Sequence, residues 1–175
     1  MSRGMERNAA ETSRSLSGMR DILAAVRQKL AELGMNMSVW NADGELEQPC
    51  VPSTDFCAAI CGQGERCRDT AGALSQRISV THSPAKGLTS LGCCQIGVPL
   101  FQRRRLMGAI VACFPTRKMA DEEDLARLCD ACGLDHQVVS GYAARACRHG
   151  DQEADDFLRL LGWVLHHEQE AWTTK

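Results

Sequence analysis

The stretch from Gly92 to Phe114, GCCQIGVPLFQRRRLMGAIVACF, constrains the fold of this chain more than any other. Cys94, Ile96, Val98 and Leu100 alternate onto one side of an extended segment. Gly108, Ile110, Ala112 and Phe114 do likewise in the return. Period-two alternation is the mark of a strand with one apolar face. Gln102–Arg105 makes the exposed turn between them, so the segment reads as a hairpin with Arg103, Arg104 and Arg105 at a solvated tip.

The remaining elements follow from local signals. Residues 1–14 read as a disordered tail. Leu16, Met19, Leu23, Val26, Leu30 and Leu33 recur at steps of three and four, predicting an amphipathic helix over residues 15–34 that Gly34 ends. That stripe suits either docking on its own domain or pairing with a second copy. MNMSVWNADGELE reads as two short strands around a turn at Asn41–Gly44. Ser53 or Thr54 caps a short helix, DFCAAIC, and a second helix runs from near Glu65 to about Arg77. Residues 78–91 hold one candidate strand, ISVTH, and then a loop. After Pro115, helices are expected at Asp121–Cys132, stopped by Gly133, and from an Asp135 cap to about Cys147. A last helix over residues 151–175 is apolar around most of its middle, which implies burial on the domain or against a dimer partner. Strand pairs with helices inserted between them, flanked by N- and C-terminal helices, predict an α+β fold with an antiparallel sheet, not a doubly wound parallel one.

Bulk properties narrow the role. At 175 residues the chain has the size of one domain. A formal net charge of −2 offers no electrostatic case for nucleic acid or an anionic membrane as the main partner. No apolar leader and no run of about 18 apolar residues is visible, so no membrane span is expected and the cytoplasm is the expected address. Ten cysteines in a reducing compartment should then be free thiols. Cys113, Cys129, Cys132 and Cys147 read as small buried hydrophobes, and Cys50 as a loop residue. His82, His136, His149, His166 and His167 are scattered, so no base–nucleophile pair can be named and an enzyme is not expected. The 124–145 segment has a helix, glycine turn, helix look. From Arg117 to Gly150, however, five Lys/Arg face six Asp/Glu, a poor balance for contacting phosphates.

VWNADG, FCAAICGQGERC, IGVPLFQRRRLMGAIVACF and CGLDHQVVSGYAARACRHGDQEADDFLRLLGWVLHH, in that order, resemble the PocR-type sensory ligand-binding domain over roughly residues 36–167. The resemblance implies a PAS/GAF-like sensory domain over residues 35–150. It would bind a small molecule and signal to a partner such as a histidine kinase or a transcription regulator. Cys57 after Phe56, and Cys67 after a glycine-rich turn, match cysteines of the family pattern. The chain departs at a third: Pro84 stands where that cysteine would precede Gly87–Leu88, and thiols come later, at Cys93 and Cys94. No kinase, receiver or output module accompanies the domain, which implies a stand-alone sensor, expected to be a homodimer.

Two site readings stay open. A pocket between the sheet and the inserted helices would be lined by Trp40, Phe56, Cys57, Ile60, Cys67, Cys94, Ile96 and Val98. Alternatively Cys57 and Cys61, four apart on one helical face, would join Cys67 and Cys94 around zinc or an iron–sulfur cluster, with Cys93 or His82 as the alternative fourth ligand. The same thiols could also serve as a redox sensor.

Overall fold

The computed structural model describes Leu16, residues 18–62 and residues 65–173; the tail expected at residues 1–14 lies outside them. Helix α1 (Arg20–Glu32) leads into β1 (Asn36–Asn41) and the short β2 (Leu46–Gln48). The Asn41 side-chain oxygen closes their turn, accepting hydrogen bonds from the backbone N–H of Asp43 (3.0 Å) and Glu45 (2.9 Å). Two inserted helices follow, α2 (Asp55–Cys61) and α3 (Glu65–Thr81), and then β3 (Ala85–Leu88). The expected hairpin forms β4 (Cys94–Gln102) and β5 (Arg105–Phe114). Arg103 and Arg104 both take positive φ, 51° and 67°, the hand that matches the twist of the flanking strands. Helices α4 (Glu122–Cys132), α5 (His136–Ala146) and α6 (Ala154–Thr173) complete the chain.

All strand pairs are antiparallel, in the order β2-β1-β5-β4-β3. This is the α+β class expected from the sequence, with helices inserted between β2 and β3 and further helices at both ends. The second inserted helix runs past Arg77 to Thr81. ISVTH is therefore its last turn and not a strand; the third strand is Ala85–Leu88. Ile78 decides this, because as a helical residue it is fully buried against Gly97 of β4. A Cβ on Gly97 would come within 2.6 Å of the Ile78 Cδ1, so that glycine makes room for the helix.

Register divides the sheet into two faces. Met37 and Val39 of β1, Cys94, Ile96 and Val98 of β4, and Ile110, Ala112 and Phe114 of β5 pack with Leu23, Val26 and Leu30 of α1 and Leu161, Val164 and Leu165 of α6. The α1 stripe thus docks on its own sheet, and α6 lies beside it, tied by an ion pair between Lys29 and Glu168. The opposite face carries Ser38, Trp40, Gln95, Val111 and Cys113. The inserted helices α2 and α3 cover it together with α4 and α5.

Candidate metal centre

Local chemistry fixes where the sulfurs sit. Thr54 caps α2 by accepting a hydrogen bond from the Cys57 N–H (3.1 Å), and Asn36 of β1 holds the preceding loop by accepting from the Ser53 N–H and hydroxyl, each at 2.7 Å. The helix is therefore pinned above the sheet with Cys57 and Cys61 inward. Gly62, at φ 59°, ends it, and Arg66 donates to the Ile60 carbonyl (2.6 Å), satisfying a carbonyl left open at the helix end. Cys67 then returns in the first turn of α3. Cys93, just before β4, is held by two bonds to Thr89. Its N–H donates to the threonine hydroxyl (3.0 Å), and its carbonyl accepts from the threonine N–H (2.8 Å).

These constraints bring the sulfurs of Cys61, Cys67 and Cys93 within 4.8 Å of one another, all buried. The Cys61 and Cys67 sulfurs are 3.1 Å apart. Cys113 of β5, opposite Gln95 in the register, is buried in the same cluster as these three but outside the converging set. The neighbouring thiols of Cys113, Cys61 and Cys93 pull the Cys67 pKa below the usual thiol range. The Cys67 side chain in turn raises Cys61 and Cys113. The Cys113 side chain and burial raise Cys93. Three sulfurs therefore share one buried site, with Cys113 packed beside it. A thioether adjoins it, with the Met119 Sδ accepting from the Cys93 thiol at 3.7 Å. Phe56, Ile60, Leu125 and Val139 form the apolar surround.

The sequence-predicted metal set is partly assembled. Cys61 and Cys67 converge; the fourth position belongs to Cys93, the alternative, not to Cys94. Adjacent residues in an extended chain point to opposite faces, and Cys94 points to the α1–α6 side, where burial pushes its pKa up to about 11. Cys57 is buried in the same cluster as the thiols but outside the three that converge, its pKa raised mainly by burial. His82 follows the last residue of α3, exposed, with its ring 6.1 Å from that of Phe101. Cys113, read from sequence as packing, is the residue that reasoning missed. Its parity opposite to Ile110, Ala112 and Phe114 is the signal that could have found it.

The predicted pocket residues are likewise split between faces. Ile96 and Val98 lie with Cys94 in the α1–α6 core, whereas Phe56, Cys57 and Ile60 are packed among the thiols. Trp40 and Cys67 alone of that set line a cavity of about 50 Å³ between the sheet and α3. The Trp40 ring packs over Gly72 of α3, and its Nε1 donates to the Ser38 hydroxyl (2.9 Å). A larger, half-open groove of about 670 Å³ lies elsewhere, between the loop before Cys93 and the start of α4, lined by none of the predicted pocket residues. The 124–145 segment does fold as helix, turn and helix, α4 and α5, with the faces bearing Leu125, Leu128, Cys129, Val139 and Ala143 turned inward.

No helix among the described residues is long and apolar enough to cross a membrane. Set against family models, curated proteins and solved structures, the chain matches nothing in any of the three.

Proposed function

We propose that this is a sensory domain of the PocR type whose sensing element is a metal centre held by Cys61, Cys67, Cys93 and Cys113. The observation that carries this reading is the convergence of three buried sulfurs within 4.8 Å, with the Cys113 thiol packed in the same buried cluster. A tetrahedral zinc with Zn–S bonds of about 2.3 Å needs sulfurs about 3.8 Å apart, and the sulfurs of Cys61, Cys67 and Cys93 lie 3.1 Å apart in one pair and within 4.8 Å of one another in all. An iron–sulfur cluster distributes its cysteines over more than one iron and needs a wider set. The donors are sulfur only, a soft set that suits zinc or cuprous ion over magnesium or calcium.

The centre joins elements far apart in the chain: α2, α3, the loop before β4, and β5. Metal loading would therefore tie the insert to the sheet, and unloading would free it, so the ion's differential affinity sets the balance between two states of the insert. The sheet passes that difference to α1 and α6 on its other face, the elements best placed to meet a signalling partner or a second copy.

The test is elemental analysis of anaerobically purified protein, followed by chelation. One zinc per chain is expected, together with a large fall in thermal stability on its removal. Protein that takes up no thiophilic metal under reducing conditions would end this reading.

A further inference from the structure

The cavity beside the thiols has features that the metal reading does not use. Its volume of about 50 Å³ is far below the roughly 300–1,000 Å³ of an ordinary small-molecule pocket and suits a body of two or three heavy atoms. Trp40, Ala71 and Val111 give it apolar walls, and Cys67 and Cys113 also line it. Ser38, Cys50 and Arg68 are also in the lining, as is Gln95, only 1% exposed. Its Nε2 donates to the Cys67 carbonyl (3.1 Å), which leaves Oε1 as the free end, and that oxygen has no hydrogen-bond partner among the described residues. A buried acceptor without a donor costs about 1–3 kcal/mol, so a guest that supplies an O–H would be welcome there. Such a guest would lie against sulfur.

We propose that this cavity is a site for hydrogen peroxide or a similarly small hydroperoxide, which oxidises Cys67 and closes a Cys61–Cys67 disulfide. The O–H of the peroxide donates to Gln95 Oε1, holding the O–O bond beside Cys67. The Cys67 sulfur attacks one oxygen; an S–O bond forms as the O–O bond breaks. The sulfur loses two electrons to the peroxide, and the second oxygen leaves with the Cys67 thiol proton as water or an alcohol. Cys61, whose sulfur is already 3.1 Å from that of Cys67, then attacks the sulfenic sulfur. The S–S bond forms, the S–O bond breaks, and the hydroxyl leaves as water with the Cys61 proton. In sum, two thiols and one peroxide give one disulfide, one water and one water or alcohol. This rests on the metal reading in one respect only: in loaded protein, the same step removes two of the ion's ligands and ejects it.

The experiment treats the full-length protein, as purified and after zinc loading, with hydrogen peroxide or with bulky cumene hydroperoxide. Disulfides are mapped by peptide mass, and zinc release is followed with a chromogenic chelator. Hydrogen peroxide should produce a Cys61–Cys67 link at least tenfold faster than cumene hydroperoxide. Gln95→Leu should slow that oxidation about tenfold while leaving zinc stoichiometry unchanged. Cys61→Ser should stop at a Cys67 sulfenic acid that dimedone traps. Equal rates for the two peroxides, a wild-type rate in a folded Gln95→Leu protein, or dimedone labelling away from Cys67 would overturn the proposal. If Gln95→Leu does not fold, the two-peroxide comparison and the dimedone map decide. Failure of the metal reading has a separate sign, protein that binds no zinc yet still forms the link.

Discussion

The two faces of the sheet are covered alike by helices yet differ in chemistry. Toward α1 and α6 the strands present aliphatic and aromatic side chains, and Met37, Val39, Ile96, Leu100, Ile110 and Phe114 are all but inaccessible. Toward α2 and α3 the same strands present Ser38, Trp40, Gln95 and Cys113, beside three converging thiols, a small cavity and an unpartnered amide oxygen. Hydrocarbon packing at crystal-like density leaves no such loose ends. A face that keeps orphaned polar atoms and converging sulfurs instead forgoes some stability, which is a sign of a site. The lesson is a division of labour: one face holds the fold together, and the other holds the chemistry.

Replacing a ligand should break that contrast most sharply. Cys67→Ser should lower zinc affinity about a hundredfold or more, since even a ligand's hydrogen-bond partners are commonly worth 10–100-fold. Cys94→Ser, one residue from a ligand but on the other face, should keep one zinc per chain. Competition with a zinc chelator measures both, and equal losses would erase the distinction between the faces.

Leu161→Ala, at the centre of the α1–α6 core, should give the reverse pattern. It should cost about 2–5 kcal/mol in unfolding free energy while zinc stoichiometry stays at one. Denaturant titration of zinc-loaded protein checks it.

Acid and alkali sharpen the comparison with smaller effects. The thiols of Cys61, Cys93 and Cys113 have raised pKa values and hold their protons near neutral pH, whereas Cys67 is lowered. Metal binding must expel the held protons, so zinc affinity should fall as pH drops through neutrality, with protons released on loading in a weakly buffered titration. On the other face, Cys94 is raised from 9.0 to about 11 by burial. A folded pKa above the unfolded one stabilises the fold while both states are protonated. That contribution is fully present below pH 9 and fades as pH rises toward 11. Cys94→Ala should flatten the alkaline fall in stability, and zinc should leave the Cys94 part of it unchanged.

Elements with local causes were legible in the sequence. The Thr54 and Asp135 caps, the Gly133 stop and the turn after Phe101 depend on residues within a few positions of each other, and each formed where local chemistry placed it. The third strand was not legible. AKGL has no apolar alternation and becomes a strand only by pairing with β4, while the β-branched ISVTH is drawn into α3 by the burial of Ile78. Of the thiol centre, Cys61 and Cys67 were visible as neighbours on one insert, with Cys93 only an alternative and Cys113 hidden in the alternation of β5.

The sequence by itself determined that Cys93 and Cys94 face opposite ways, because an extended chain turns each successive side chain over. It determined equally that Cys113 parts company with Ala112 and Phe114. Which face the insert would roof was decided only by the tertiary structure. The bonds from Ser53 to Asn36 and the packing of Ile78 on Gly97 lay α2 and α3 over the Gln95 side and leave Cys94 among hydrocarbons. Those contacts join residues 17 or more positions apart, beyond the reach of any local pattern.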